Sequence, residues 1–390
     1  MRSKDLNSGS IKCFALKGAN VFTGTSEGVF LSIDNGILWT EADSGITTHN
    51  VMSLAFLDSN LFAGTYGNGA FLSTNNGTSW TGVNSGLITP SHGAVVYAFA
   101  SLDTDLFVAT SRVFRSTNFG GTWTETDSGI YTSDGVYSLA VSGTNLIAGA
   151  YPSTVASHGG IYRTTNNGAS WAAVDSGLWI YNVGVFTLIT SSTNLYAGTD
   201  LGVFLSSNNG TSWAQANKGL TSKVYSLAII GNNIFAGSDS GVYLSTNNGA
   251  SWTAVNTGLT NMGIFALQVC GGYLLAGTDT EGVWRRPLSE MVTAVHLTST
   301  ELPGTFTLMQ NYPNPFNPTT IIKYQLPTDG FVTLEVFDLL GRTIKRLVSE
   351  RENAGLHSVT LNAGGFASGV YFYRLTAESF VASKKLTVIK

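Results

Sequence analysis

One octapeptide recurs six times along the first 252 residues of this 390-residue chain. Its copies are Ser32–Trp39, Ser73–Trp80, Ser116–Trp123, Thr164–Trp171, Ser206–Trp213 and Ser245–Trp252. Each reads Ser/Thr-x-Asn/Asp-x-Gly-x-x-Trp, and a pair ending in Gly begins five residues past each Trp, from Ser44-Gly45 to Thr257-Gly258. The Trp-to-Trp spacings are 41, 43, 48, 42 and 39 residues. A period of that size excludes most folds and leaves solenoids and propellers. Asn-Gly at the centre of most copies suits a type I′ turn, in which both central residues need positive φ. The Trp then enters the next strand as a large apolar plate with one N–H to satisfy. A single hairpin of this kind is marginal in water, so each copy must stack on its neighbours.

One repeat reads as four strands. Over residues 224–259 these are Val224–Ile230, Asn233–Gly237, Val242–Ser245 and Ser251–Val255, separated by Gly231-Asn232, Asp239-Ser240-Gly241 and Asn248-Gly249. Four short strands per unit describe a propeller blade. The first strand of each unit is apolar throughout (Met52–Phe56, Val95–Ala100, Val136–Val141, Val185–Ile189), which predicts an inner strand buried on both faces. Counting gives seven blades over residues 1–295. The seventh begins at Gly263-Ile264-Phe265 and loses the turn motif at Arg285-Arg286-Pro287. Its missing outer strand is expected from Asp5–Gly9, which matches Gly82–Gly86, with Met291–Val295 as the alternative donor. An unpaired edge would otherwise invite aggregation.

Past a Thr/Ser-rich linker, residues 296–305, the period disappears. Residues 310–318 hold three of the eight prolines, which makes a rigid extended loop. Alternating strands follow, Thr320–Leu326, Val332–Asp338, Thr343–Leu347, Ser358–Leu361, Val370–Thr376 and Lys384–Ile389. That pattern over residues 306–390 predicts an Ig-like β-sandwich. The whole chain is therefore read as all-β, a seven-bladed propeller followed by a sandwich.

Charged residues are only 11% and the net charge is −4, which argues against nucleic-acid binding. The charge is divided: residues 1–302 carry 11 Lys+Arg against 18 Asp+Glu, and residues 303–390 carry 9 against 6. No apolar run is long enough to span a bilayer as a helix. Aligning the Phe14-Ala15-Leu16 and Phe265-Ala266-Leu267 triplets puts Cys13 and Cys270 six positions apart on equivalent strands, roughly 20 Å and too far for a disulfide.

The repeated octapeptide resembles the Asp-box of BNR and sialidase-like propellers, a motif shared with photosystem-II-assembly-factor-like propellers. Only Asp34 keeps the acid; Asn75, Asn118, Asn166, Asn208 and Asn247 replace it in the other copies. With Trp39, Trp80, Trp123, Trp171, Trp213 and Trp252 these positions are structural, because the motif marks a fold and not an activity. The tail carries a second resemblance. Asn311-Tyr312-Pro313-Asn314-Pro315-Phe316-Asn317-Pro318 is similar to the opening of the type A C-terminal sorting domain of the type IX secretion system. Val336–Arg342 with Gly341, Gly369–Leu375 with Tyr371, and the ending with Lys384 and Lys385 fit the same family in the same order. The resemblance implies a Bacteroidota-type bacterium, the secretion machinery as partner, and a secreted or outer-membrane surface-attached protein. Such cargo carries a signal peptide; none is seen at Met1–Asn7, so the expectation is a mature or truncated chain.

Chemistry is expected on the rim that collects the loops between outer and next inner strands and between second and third strands. The irregular insertions lie there, Ile88–Ala94, Tyr131–Gly135, Tyr151–Gly160 and Trp179–Gly184. Aromatic Tyr66, Tyr131, Tyr151, Trp179 and Tyr181, with His92 and His158, are the candidate residues for a glycan or protein ligand. His49, His92 and His158 share neighbouring rim loops, but nothing fixes their separation, so no metal or cofactor is assigned. Asp200, Asp239, Asp279 and Glu281 recur in Asp-x-Gly or Asp-x-x-Gly settings and read as turn formers rather than a glycosidase pair. Arg115 and Arg163 occupy the strand slot of Leu72, Leu205 and Leu244, which does not support the arginine cluster of a sialidase. No catalytic residue is assigned. The reading is a monomeric, non-catalytic binding or scaffold propeller, with a glycan-active hydrolase on the rim of blades two to five as the alternative.

Overall fold

The computed structural model describes the chain apart from residues 1–5, 7–8, 19, 88–93, 153–159, 179–182, 192–193, 293–305, 312–313, 327–329, 353–354, 378–379 and 390. It divides into two units, Met1–Thr293 and Ala294–Lys390. Apart from one 3-10 turn, Leu288–Glu290, every regular element among the described residues is a strand.

The first unit is a succession of antiparallel sheets, each following chain order from inner to outer strand. Five have four strands in that order, a sixth adds Ala94–Val95 beside Asn60–Gly67, and the last, Ile264–Cys270, Tyr273–Thr278 and Val283–Pro287, has three. Each inner strand packs beside the next, and Ile264–Cys270 returns to Ile11–Lys17, so the inner strands enclose a central axis. The outer strands are short, two residues each, as in Thr253–Ala254.

The octapeptide explains how the sheets hold together. Its Asn-Gly pair does take positive φ at both residues, 55° and 82° at Asn76-Gly77. The turn is not a two-residue hairpin, however: strands Ala70–Ser73 and Thr81–Gly82 are joined by seven residues. The loop is longer because its own side chains satisfy its N–H groups. Ser73 Oγ accepts from Gly77 N at 2.8 Å, and Asn75 Oδ1 accepts from Ser79 N at 2.9 Å. The Trp of each octapeptide is buried, and five donate their indole N–H backwards to the preceding sheet. Trp80 reaches Ala42 O, Trp123 Val83 O, Trp171 Thr126 O, Trp213 Val174 O and Trp252 Ala216 O, at 2.6–2.9 Å. The glycine of each following pair lies against the backbone carbonyl of the next Trp, where a Cβ at Gly45, Gly86, Gly129, Gly177 or Gly219 would overlap it.

The last sheet is finished differently. Leu6 is buried with Trp39, Leu275 and Val283, which places one residue of the expected N-terminal donor between the first and last sheets. Of the remaining donor residues, Asp5 and Asn7-Ser8 lie outside the described residues, as do residues 293–295 of the alternative. Met291 is buried on the other side of the same sheet with Leu259 and Trp284. Both ends of the unit thus pack against it.

In the second unit, strands Thr307–Leu308, Thr319–Leu326 and Gly355–Asn362 form one sheet. A second runs in the order Thr343–Glu352, Gly330–Phe337, Gly369–Ala377 and Phe380–Val388. Their inner faces share one core that includes Ile322, Tyr324, Leu334, Val336, Tyr373 and Leu386.

Candidate functional site

The inner strands are not buried on both faces, as their apolar sequences suggest. In six of the seven, pairing skips a residue toward the start of the strand, for example between Val136 and Ser138, Val185 and Thr187, and Val224 and Ser226. This bulge breaks the alternation of faces and leaves the skipped side chain half-buried. The residues so placed are Lys12, Met52, Tyr137, Phe186, Tyr225 and Phe265, and Tyr97 holds the equivalent position ahead of Ala98–Leu102.

Together they form an aromatic belt. Ring centroids follow one another at 4.6 Å from Tyr97 to Tyr137, 6.4 Å to Phe186, 5.2 Å to Tyr225 and 4.9 Å to Phe265. The Lys12 ammonium lies 5.1 Å from the Phe265 ring centre, and cation–π attraction favours that position. The belt sits at the strand ends that face the loop rim, because Ile11 pairs with Thr25 where the second strand ends.

Of the sequence candidates, Tyr151 joins this belt, 5.9 Å from Tyr137 and 6.4 Å from Phe186. Tyr131 is 69% exposed and Tyr66 57%, and neither has a ring contact with the belt among the described residues. Tyr131 is nevertheless held, since its backbone exchanges hydrogen bonds with the Tyr162 hydroxyl, which donates to its carbonyl at 2.7 Å. His92, His158, Trp179 and Tyr181 lie outside the described residues. His49 is paired with Asp43 at 3.1 Å. Sequence reading missed the belt because a bulged tyrosine inside an apolar run has the same appearance as a core residue. The one available signal was the recurrence of an aromatic one residue after the first Val or Ile of successive repeats.

Carboxylates flank one sector of the belt. Burial first, then a hydrogen bond to Asp239 and the charges of Asp239 and Asp200, push the Tyr225 hydroxyl up to about 12. Asp200 accepts from Gly184 N, sixteen residues away, at 3.1 Å, while its own turn is held by Thr199, and it lies 3.5 Å from the Lys223 ammonium. Arg115 pairs with Asp105 at 2.6 Å and Arg163 donates to Asn209 O, so both are structural. Both cysteines are free; burial raises the Cys13 thiol to about 12 against the opposing Gly24 N–H. Among the described residues no group of three or more His, Cys, Asp and Glu could hold a metal. No helix among the described residues is long and apolar enough to cross a membrane.

The tail motif has a structural job. Asn311 is buried; its N–H donates to the Tyr373 hydroxyl at 2.8 Å and its Nδ2 to Thr320 Oγ1 at 3.0 Å. Asn314 Oδ1 accepts from Thr387 N at 2.8 Å, and Phe316, also buried, bridges in parallel to Val388. Tyr312 and Pro313 lie outside the described residues. Pro315, Asn317 and Pro318 complete the loop that this stitching holds along the last strand. Gly341, at φ 78°, closes a turn whose N–H groups point at Asp338, and Tyr371 donates to Ala367 O. Lys384 and Lys385 are exposed.

Residues 310–390 match the family described as secretion system C-terminal sorting domain. No curated protein matches the sequence significantly. Among solved structures, PorZ of Porphyromonas gingivalis, a surface component of the type IX secretion system, aligns with a TM-score of 0.55 at 16% identity. The alignment covers 97% of this chain and 59% of PorZ, so the chain spans about three fifths of that protein. A GH74 enzyme of Niastella koreensis gives 0.57 at 14% identity, covering 100% of this chain and 74% of that one. YCF48, solved with a D1 peptide, gives 0.56 at 13%, covering 74% and 94%. Identities this low establish the propeller fold alone.

Proposed function

From a chain whose residues 310–390 are a type IX secretion C-terminal sorting domain, we propose that residues 1–295 form a seven-bladed propeller that binds an extended ligand at its channel mouth without transforming it. The tail marks the protein for export through the type IX system, to be secreted or held at the cell surface. In this reading residues 296–305 link the propeller to an Ig-like sandwich, 306–390, and the molecule works as a monomer.

The aromatic belt carries the proposal. Six sheets in succession place a half-exposed aromatic or lysine around one axis, and such faces stack on sugar rings or on peptide planes. Of the sequence candidates, Tyr151 belongs to this surface and the exposed Tyr66 and Tyr131 are further candidate contacts; Trp179, Tyr181, His92 and His158 lie outside the described residues.

A glycan and peptide array probed with the full chain tests this, with Tyr137→Ala and Phe186→Ala as controls. Binding that survives both substitutions unchanged sinks the assignment to the belt. A second reading, a glycan-active hydrolase, is favoured by Asp200 and Asp239 acting together on Tyr225. Turnover of any array glycan, abolished by Asp239→Asn, would decide for it. For the tail, a reporter joined behind a signal peptide to residues 303–390 should leave a type IX-competent cell; periplasmic retention would refute the sorting role.

A further inference from the structure

The outward face of the four-stranded sheet in the second unit has a composition that solvent exposure does not explain. Along Gly330–Phe337, side chains alternate between the core, at Val332, Leu334 and Val336, and the opposite face, at Phe331 and Phe337. The neighbouring strand adds Phe372, which pairs with Phe337 across the ladder. Phe331 is 57% exposed and Phe372 39%. The wet side of an antiparallel sheet is ordinarily polar, so three phenyl groups there require a partner.

Cations frame the phenyl groups. Pairing sets Arg351 opposite Phe331, Lys385 opposite Phe372, and Arg346 and Arg374 on either side of Glu335. Paired residues share a face. The Arg374 guanidinium lies 4.8 Å from the Phe337 ring centre. Glu335, the one acid among the described positions of this face, is neutralised by Arg346 at 2.8 Å. Excess positive charge, exposed phenyl groups and a broad sheet surface are thus combined in one place.

We propose that this face docks on an anionic lipid surface. Guanidinium forks match phosphate oxygens bidentately, and phenyl groups gain by entering the boundary between headgroups and acyl chains. A sheet face suits a broad planar partner, and its uncompensated cations complement headgroup phosphates. The inference is independent of the channel-mouth reading, because it concerns other residues in the other unit.

Co-sedimentation of the full chain with vesicles tests it, comparing pure phosphatidylcholine with phosphatidylcholine containing phosphatidylglycerol. Binding should require the anionic lipid, weaken with added salt, and fall at least about tenfold in the Arg374→Glu, Lys385→Glu double variant. The milder Arg374→Gln, Lys385→Gln pair and a separate Phe331→Ala, Phe372→Ala pair should each weaken it too, with unfolding temperatures unchanged. Equal binding to both vesicle types, no binding to either, or full binding by the variants would overturn the proposal. Retention on soluble polyglutamate matching that on vesicles, indifferent to the phenyl groups, would do so as well, by identifying an acidic protein surface as the partner.

Discussion

The Arg286 guanidinium donates to the Val255 carbonyl at 3.3 Å, the acceptor position that an indole N–H reaches in the five preceding sheet-to-sheet contacts. Val255 lies three residues past Trp252, as Ala42 lies three past Trp39 and Val83 three past Trp80. The seventh repeat has no octapeptide, and an arginine on its third strand has taken over the bond. Glu290 holds that arginine in place, at 3.2 Å, from the 3-10 turn Leu288–Glu290. Arg286→Ala should therefore lower stability by about 1.5–3 kcal/mol, the range for a hydrogen bond from a charged donor. Chemical denaturation of the full chain measures it, and Arg286→Lys should recover only part of the loss, since one ammonium cannot reproduce the fork.

The indole bonds can be separated from indole burial. At Trp171, whose Nε1 lies 2.6 Å from Thr126 O, Phe keeps most of the apolar plate and removes the donor. Trp171→Phe should cost about 1–2 kcal/mol, and Trp171→Ala about 3–5 kcal/mol. Equal losses in the two variants would show that the bond contributes nothing. Trp39 differs from the other five, since its Nε1 has no acceptor among the described residues. Trp39→Phe should accordingly be the mildest of the six Phe substitutions.

Asp34 is the one acid among six equivalent positions, and this gives the first repeat a pH dependence the others lack. Burial, the largest single influence, raises its carboxyl, but donation from Leu38 N–H, the Ser32 hydroxyl and Ile37 N–H together hold it below the ordinary carboxylate range. A lowered folded-state pKa means stabilisation that is present above the ordinary value and lost as pH falls through the lowered one. Asp34→Asn keeps the accepting oxygen and removes the titration. The variant should thus lose less stability than the parent as pH falls below the ordinary aspartate value, about 3.9. Parallel acid-unfolding curves would contradict this.

At the channel mouth, Tyr225 reports on its carboxylate neighbours. Asp239→Asn removes a hydrogen bond and a charge that both disfavour the phenolate, so the hydroxyl should titrate nearer the ordinary tyrosine value. It should stay above that value, because burial is the larger cause. Ultraviolet phenolate titration, taken as the difference from Tyr225→Phe, reads the shift. No change on substitution would place Asp239 too far from the ring to matter to a ligand there.

Much of the architecture could be read from residues whose chemistry repeats. Ser73, Asn75, Gly77 and Trp80 each have one local role that short-range physics dictates, and recurrence multiplied the signal. In the sixth repeat Val224–Ile230 is observed as expected, Asn233–Ser238 and Gly241–Ser245 each run one residue beyond the expected limits, and the outer strand is Thr253–Ala254 instead of Ser251–Val255. The belt was not readable in the same way. Whether Tyr137 or Phe186 faces the core or the axis depends on a bulge, and a one-residue bulge is a matter of backbone pairing that side-chain type does not reveal. The same limit applies to Arg286, whose role exists only because Val255 has lost its usual donor.

Five of the sheet-to-sheet contacts share one joint, a glycine whose missing side chain admits the carbonyl of the next tryptophan. Because the mating parts are interchangeable, duplicating or deleting one genetic unit leaves every new neighbour with a compatible edge. The contacts made by Arg286, from the last sheet to the sixth, and by Leu6, between the last sheet and the first, have no such counterpart. They are the clasp that determines where growth by tandem copying stops.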